Sequence, residues 1–319
     1  MIKKFNGKFL LRAGVSTALL SWLLFSLDWQ ETWAALRGID PLFLLIDVLL
    51  IAAAVGVSVV KWRLILKVQG IGVSAGELWN AYWVGLFFNN FLPSSIGGDA
   101  MRIFLIGKNA GNTPGVACSV VVERVLATLG LAMVGLGASF FSGENLLNIR
   151  VLFIILAAVS LILAAVLVWG RIPNFLKRGN GKAAHFAGSF IQYGGCLGKK
   201  PFVVFQVVIW SAFFQVINVA VNYYLFKGLG ITQVAFDKAL FLIPATAAAA
   251  MIPVGINGYG IREGAYVALL AHYGVSRSLA FTASLLYAFL VSMCSLWGGI
   301  LWLRSNKKRE GKCFGTRGT

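Results

Sequence analysis

Two stretches of this chain gather residue types that rarely share a short piece of an apolar sequence. The first, "LPSSIGGDAMR" (92–102), sets Pro93, Gly97, Gly98, Asp99 and Arg102 close together. The second, "PVGINGYGIRE" (253–263), does the same with Pro253, Gly258, Gly260, Arg262 and Glu263. A proline ends a helix and glycines permit a tight reversal. The helix that follows begins with unsatisfied backbone N–H groups and the positive end of its dipole. Those donors, beside a guanidinium, make an anion site, most simply one for phosphate. Asp99 is suited to cap the second half-helix. The residues allow another reading, in which Arg102 and Arg262 pair with acidic neighbours and lock the turns. The two readings are compatible.

A third segment, "SVVVERVLATLGLAMVGL" (119–136), carries Glu123 and Arg124 inside an apolar run. A charge at mid-membrane depth costs about 2.5–3.5 kcal/mol or more unless paired, so both residues are site candidates. Neighbouring helical residues point roughly 100° apart, which favours partners on other elements over each other. For Glu123 the candidates are Arg102 or Arg262; for Arg124 they are Asp47, Asp99 or Glu263. A structural ion-pair network explains the same residues. Asp47 is placed either inside its helix or near the interface. Ser211, Gln215, Asn218 and Asn222 form a stripe at helical spacing, either helix-packing glue or cavity wall.

Other chemistry finds little support. Cys118, Cys196, Cys294 and Cys313 show no CxxC spacing, and His185 and His272 are far apart. No metal site, no cofactor and no catalytic residue is expected.

The elements that must hold these residues are membrane helices. Hydrophobic residues make up 59% of the chain and charged ones 12%, about half the charged share of a soluble domain. Mean hydropathy is +0.81. Residues 151–169 contain no charge, enough to cross a bilayer core of about 30 Å as helix. The basic, apolar N-terminus lacks a small-residue cleavage site and reads as a first span, not a signal peptide. Full spans are expected near 10–27, 41–60, 115–141, 150–170, 202–226 and 279–303. The regions 79–108 and 239–272 are too short to cross twice and read as re-entrant hairpins broken at Pro93 and Pro253. The fold expected is all-α and polytopic: about six full spans plus two broken-helix hairpins in one integral membrane domain, 1–319.

Charge sets the orientation. With the N-terminus in the cytoplasm, only Arg37, Arg150, Lys227, Lys238 and Arg277 fall outside, and Arg102, Arg124 and Arg262 lie at membrane depth. The other twenty of the 28 basic residues face the cytoplasm, including a basic tail at 304–319. The net charge of +17 is therefore mostly topology, and no nucleic-acid partner is expected. A shift of 160 places Pro41 on Pro201, Gly70 on Gly230, Pro93 on Pro253, Gly98 on Gly258 and Arg102 on Arg262. The expected repeat covers 41–141 and 201–303. Because 41–60 and 202–226 run in opposite senses, the copies are inverted, an architecture of many secondary transporters.

With "NNFLPSSIGGDAMR", "VVERV" and "PVGINGYGIREG" in this order on a polytopic chain, the sequence resembles the lysylphosphatidylglycerol synthase transmembrane-region family over roughly 10–303. The resemblance implies a lipid-translocase fold in a bacterial-type cytoplasmic (inner) membrane. By motif match it implies that Pro93, Gly97, Gly98, Asp99, Arg102, Glu123, Arg124, Gly258, Gly260, Arg262 and Glu263 form the core of the lipid pathway; Pro93 and Pro253 are expected as the structural breaks. Bifunctional members carry a soluble aminoacyl-transferase domain after the membrane half. None follows the last expected span, so no aminoacylating activity is expected here. The function expected is a flippase for an anionic-headgroup phospholipid or lipid-linked intermediate, working through a midplane site formed by the two opposed hairpins. The alternatives are an intramembrane lipid-modifying transferase or an accessory subunit of a lipid-synthesis enzyme. A homo-oligomer or such an enzyme is the expected protein partner.

Overall fold

The computed structural model describes residue 17 and residues 21–25, 27–91, 97–141, 147–169, 182–252 and 258–315. All regular structure among them is α-helix: α1 (Trp29–Arg37), α2 (Pro41–Val68), α3 (Ala75–Phe91), α4 (Gly97–Asn109), α5 (Thr113–Phe141), α6 (Leu147–Trp169), α7 (Lys182–Gly198), α8 (Pro201–Gly228), α9 (Phe236–Ala250), α10 (Ile261–Ala271) and α11 (Arg277–Gly315). Among the described residues, α2, α5, α6, α8 and the Arg277–Ser305 part of α11 are long and apolar enough to cross a membrane. The protein is an all-α polytopic membrane protein. Most of the expected span at 10–27 lies outside the described residues.

Burial separates these long helices by role. The most apolar window of α5 is 67% buried, against 22% for α6. Helix α6 turns Ile154, Ile155, Leu161, Ile162 and Val166 outward, as a helix facing hydrocarbon does. Helix α5, which carries Glu123 and Arg124, is built into the interior.

Helix starts and stops follow local chemistry. Pro41 and Pro201 open α2 and α8 at the position where a missing N–H is harmless. The Asp40 carboxylate accepts the Leu42 N–H at 2.8 Å. Both helices stop in the same way. Gly70 and Gly230 take φ of +74° and +75°, Ile71 N–H donates to Leu66 O, and Ile231 N–H donates to Phe226 O. This is the Schellman stop, with glycine at the left-handed position. Helices α4 and α10 end alike: Asn112 N–H donates to Gly107 O after Gly111, and Val275 N–H to Leu270 O after Gly274.

The broken regions are pairs of short helices packed on each other, α3 with α4 and α9 with α10. With 17, 13, 15 and 11 residues, they are about 25, 20, 22 and 16 Å long. None alone spans a bilayer core of about 30 Å. Pro93 and Pro253, the expected breaks, lie outside the described residues.

The basic residues at 304–315 continue α11 as helix. Two expectations need correction. The span expected at 41–60 continues as helix to Val68 and carries Lys61, Arg63 and Lys67. Two further helices lie between the expected spans. Helix α1 is capped by Asp28, whose carboxylate accepts from Gln30 and Glu31 N–H. It is tied to the start of α11 by Asp28 N–H to Ser278 Oγ (2.8 Å) and by the Ser276 hydroxyl to Glu31 (2.7 Å). Helix α7 packs on the end of α6 through glycine: a Cβ at Gly198 would meet Val168 O at 2.5 Å, and Gly194 stands against Leu167 O.

The chain divides into two compact units. One comprises Val55–Ala127, Ser160–Ser211 and Ser292–Thr319 and contains α3 and α4. The other comprises Met1–Ala54, Thr128–Val159 and Ala212–Val291 and contains α9 and α10.

Candidate functional site

In the α3/α4 unit the half-helices meet backbone to backbone. Gly98 on α4 stands against Gly85 O on α3, and a Cβ at Gly98 would also meet Asn89 Cβ at 2.9 Å. A Cβ at Gly85 would meet Arg102 Cγ at 2.7 Å. Glycine at both positions lets α4 lie close enough for Arg102 to cross α3 and reach α2 and α5.

Arg102 is fully engaged there. One guanidinium nitrogen donates to Asp99 Oδ1 at 2.6 Å and another to Glu123 Oε2 at 3.0 Å. Its Cζ lies 4.3 Å from the centre of the Tyr82 ring and 5.0 Å from that of Trp62. Trp62 is itself fixed by Nε1–H donating to Ser119 Oγ at 2.8 Å. Glu123 also accepts from the Tyr82 hydroxyl at 2.5 Å and pairs with Lys61 Nζ at 3.6 Å. Arg124 Nε–H donates to the second oxygen of Asp99. Lys61, Arg102, Asp99 and Glu123 are all buried, whereas the Arg124 side chain is 56% exposed.

The α9/α10 unit has a smaller arrangement. Gly258 and Gly260 take φ of +75° and +85° just before α10, a region that β-carbons disfavour. The Glu263 carboxylate, fully buried, accepts the Gly260 N–H at 2.6 Å. Its other oxygen accepts Arg262 Nε–H at 3.1 Å and a terminal guanidinium N–H at 2.7 Å. Arg262 lies 5.1 Å from the Tyr259 ring centre. Glu263 thus closes the turn and neutralises Arg262 locally.

Of the partners open to Glu123, the structure gives it Arg102; to Arg124 it gives Asp99. Gly97, Gly98, Asp99, Arg102, Glu123 and Arg124 belong to the α3/α4 unit, and Gly258, Gly260, Arg262 and Glu263 to the α9/α10 unit. Asp99 is the third residue of α4 and spends both carboxylate oxygens on arginines, so its observed partners are side chains, not the helix end expected. Asp47 is fully buried on α2, and neither oxygen has a hydrogen-bond partner among the described residues. The polar stripe on α8 acts as glue at two positions. Asn218 accepts from the Tyr287 hydroxyl of α11, and Asn222 from the Tyr266 hydroxyl of α10.

Lys61, Tyr82 and Gly85 are the site residues that sequence reasoning misses. The charge pattern assigns Lys61 to the cytoplasmic face, yet it is 1% exposed. Its signal is the apolar run continuing past it, "WRLILKV". For Tyr82 and Gly85 the signal is their i, i+3 spacing on the half-helix preceding the break. Among the described residues no three His, Cys, Asp or Glu side chains gather where a metal could sit.

The family described as the lysylphosphatidylglycerol synthase TM region matches residues 9–298. A UPF0104 membrane protein of Pyrococcus horikoshii is 24% identical over 313 aligned residues, covering 87% of this chain and 91% of that protein. A UPF0104 membrane protein of Methanothermobacter thermautotrophicus is 22% identical over 278, covering 78% and 81%.

Proposed function

We propose that this chain, which belongs to the lysylphosphatidylglycerol synthase TM region family, moves an anionic-headgroup lipid between membrane leaflets. The two half-helix pairs are re-entrant hairpins of an inverted repeat, set in a cytoplasmic membrane with both chain ends inside. The observation that carries this reading is the ion-pair network of Lys61, Asp99, Arg102, Glu123 and Arg124 at a helix break, with one arginine half-exposed. A break and five charged groups are costly in lipid. A polar place for a headgroup, with acyl chains left in hydrocarbon, gives them a use.

Roles divide by burial. Arg102 is the lock: both its acidic partners and both its ring contacts lie within the protein. Arg124 is the residue a phosphate ester can reach, and Asp99 orients it. The test is purified protein in liposomes carrying fluorescent phosphatidylglycerol in both leaflets. Addition of a membrane-impermeant quencher should remove all fluorescence rapidly, against about half in protein-free vesicles. Half-quenching with the protein present would overturn the reading. Recovery of a covalently altered lipid would establish a lipid-modifying transferase instead.

A further inference from the structure

We infer that Asp47 is a proton site, and that lipid movement is coupled to a proton passing on and off its carboxyl. This rests on the lipid-translocation reading and adds its driving force. Asp47 lies about 9 Å along α2 from Pro41, within a helix long and apolar enough to cross a membrane. It is fully buried, and neither oxygen accepts a hydrogen bond from any described residue. The other buried carboxylates among the described residues, Asp99, Glu123 and Glu263, all sit in ion pairs.

Its own helix offers no counter-charge: Phe43, Leu44, Leu50 and Ile51, the neighbours one turn away, are apolar. Helix α8 packs beside this turn, where the Phe43 and Tyr224 ring centroids are 6.4 Å apart. The ionisable groups of α8 there are Tyr223, Tyr224 and Lys227, and Lys227 stands over the Tyr223 ring. The remaining cations of this unit are engaged elsewhere or exposed. Arg262 pairs with Glu263, Arg150 donates to Ser139 O, Lys238 lies over Tyr273 and Arg277 over Trp22, and Arg37 is exposed. An ionised carboxylate at 47 is an unpaired charge away from water, so the group is neutral and holds a proton.

Packing alone does not call for an acid here. Helices α2 and α8 each open on a proline, run for 28 residues and stop at a left-handed glycine. At the place of Asp47, α8 has Val207, also fully buried. An acid kept inside a span without a structural partner marks a proton relay. The carboxylate binds one proton from water on one side of the membrane and yields it to water on the other; no other bond changes. Lipid and proton then move in one cycle.

Infrared spectra of wild-type and Asp47→Asn protein near neutral pH should differ by one carboxylic C=O stretch, a band that ionised carboxylates lack. Coupling is read in liposomes with fluorescent phosphatidylglycerol in both leaflets and the membrane potential clamped at zero. An impermeant quencher added after equilibration gives the leaflet ratio, a quantity that does not depend on rate. A pH gradient should shift the wild-type ratio by up to about tenfold per pH unit for one proton per lipid, and a protonophore should return it to one. With Asp47→Asn the ratio should stay at one. Asp47→Asn and Asp47→Val should melt at or above the wild-type temperature, because neither loses a partner.

An identical carboxylic band in Asp47→Asn overturns the inference, as does a gradient response that Asp47→Asn retains. A lower melting temperature in both variants would assign Asp47 a structural role and overturn it too. Wild-type exchange that ignores the gradient would sink the coupling and leave translocation standing. No exchange at all by wild-type protein would sink both.

Discussion

Arg102 and Arg124 share the Asp99 carboxylate and differ in nearly everything else. Arg102 is buried between two carboxylates and two aromatic rings; Arg124 is 56% exposed. Lysine cannot reproduce a forked, ring-stacked guanidinium, so Arg102→Lys should lower stability by about 1.5–3 kcal/mol. Glu123→Gln leaves Arg102 and Lys61 short of their shared counter-charge and should cost more, about 3–5 kcal/mol. Melting temperature in a fixed detergent checks both, and an unchanged value for Glu123→Gln would refute the lock. Arg124→Gln, losing a partly exposed pair, should cost about 1 kcal/mol or less. The sequence shows that 102, 123 and 124 carry charge where charge is expensive. It does not show which arginine is buried, because that depends on which helix faces meet. Lys61 is misplaced for a related reason: the positive-inside rule counts charges near a span's end and says nothing of a lysine turned inward to a carboxylate. Moving Lys61 leaves nineteen basic residues against five, so the orientation expected is unchanged.

At the scale of the helix, close approach of α3 and α4 depends on glycines that have no room for a β-carbon. Gly98→Ala forces its methyl onto Gly85 O and should destabilise by about 1–3 kcal/mol through overpacking. Gly76→Ala lies on the same half-helix as Gly85, and its added methyl would meet nothing within 4 Å. It should be neutral or stabilising by up to about 1 kcal/mol. Equal melting temperatures for the two variants would contradict the packing described. The stops at Gly70, Gly230, Gly111 and Gly274 are legible because glycine acts locally, and they fall where the sequence shows glycine at the end of an apolar run. Helices α1 and α7 are not legible. "WQETWAALR" is too short and too polar to register as a span, and α7 owes its place to Gly194 and Gly198 packing on α6.

For the whole molecule, the sequence carries the fold class, since only helices or closed barrels satisfy the backbone in lipid, and barrel strands alternate where this chain runs uniformly apolar. The proposed orientation rests on the charge pattern and can be checked directly. Single cysteines at Lys182 and Lys307 should react only from the cytoplasmic side, and one at Arg277 only from the other. Labelling of 277 and 307 from one side would contradict α11 as a full crossing. The lipid role rests on the half-exposed arginine, and leaflet exchange tests it most directly. Wild-type protein and Arg124→Gln should be reconstituted at equal density, with melting temperatures recorded on the same preparations. Loss of one charge-assisted phosphate contact predicts exchange of phosphatidylglycerol slowed roughly ten- to hundredfold, with melting nearly unchanged. Exchange by Arg124→Gln at the wild-type rate would contradict it.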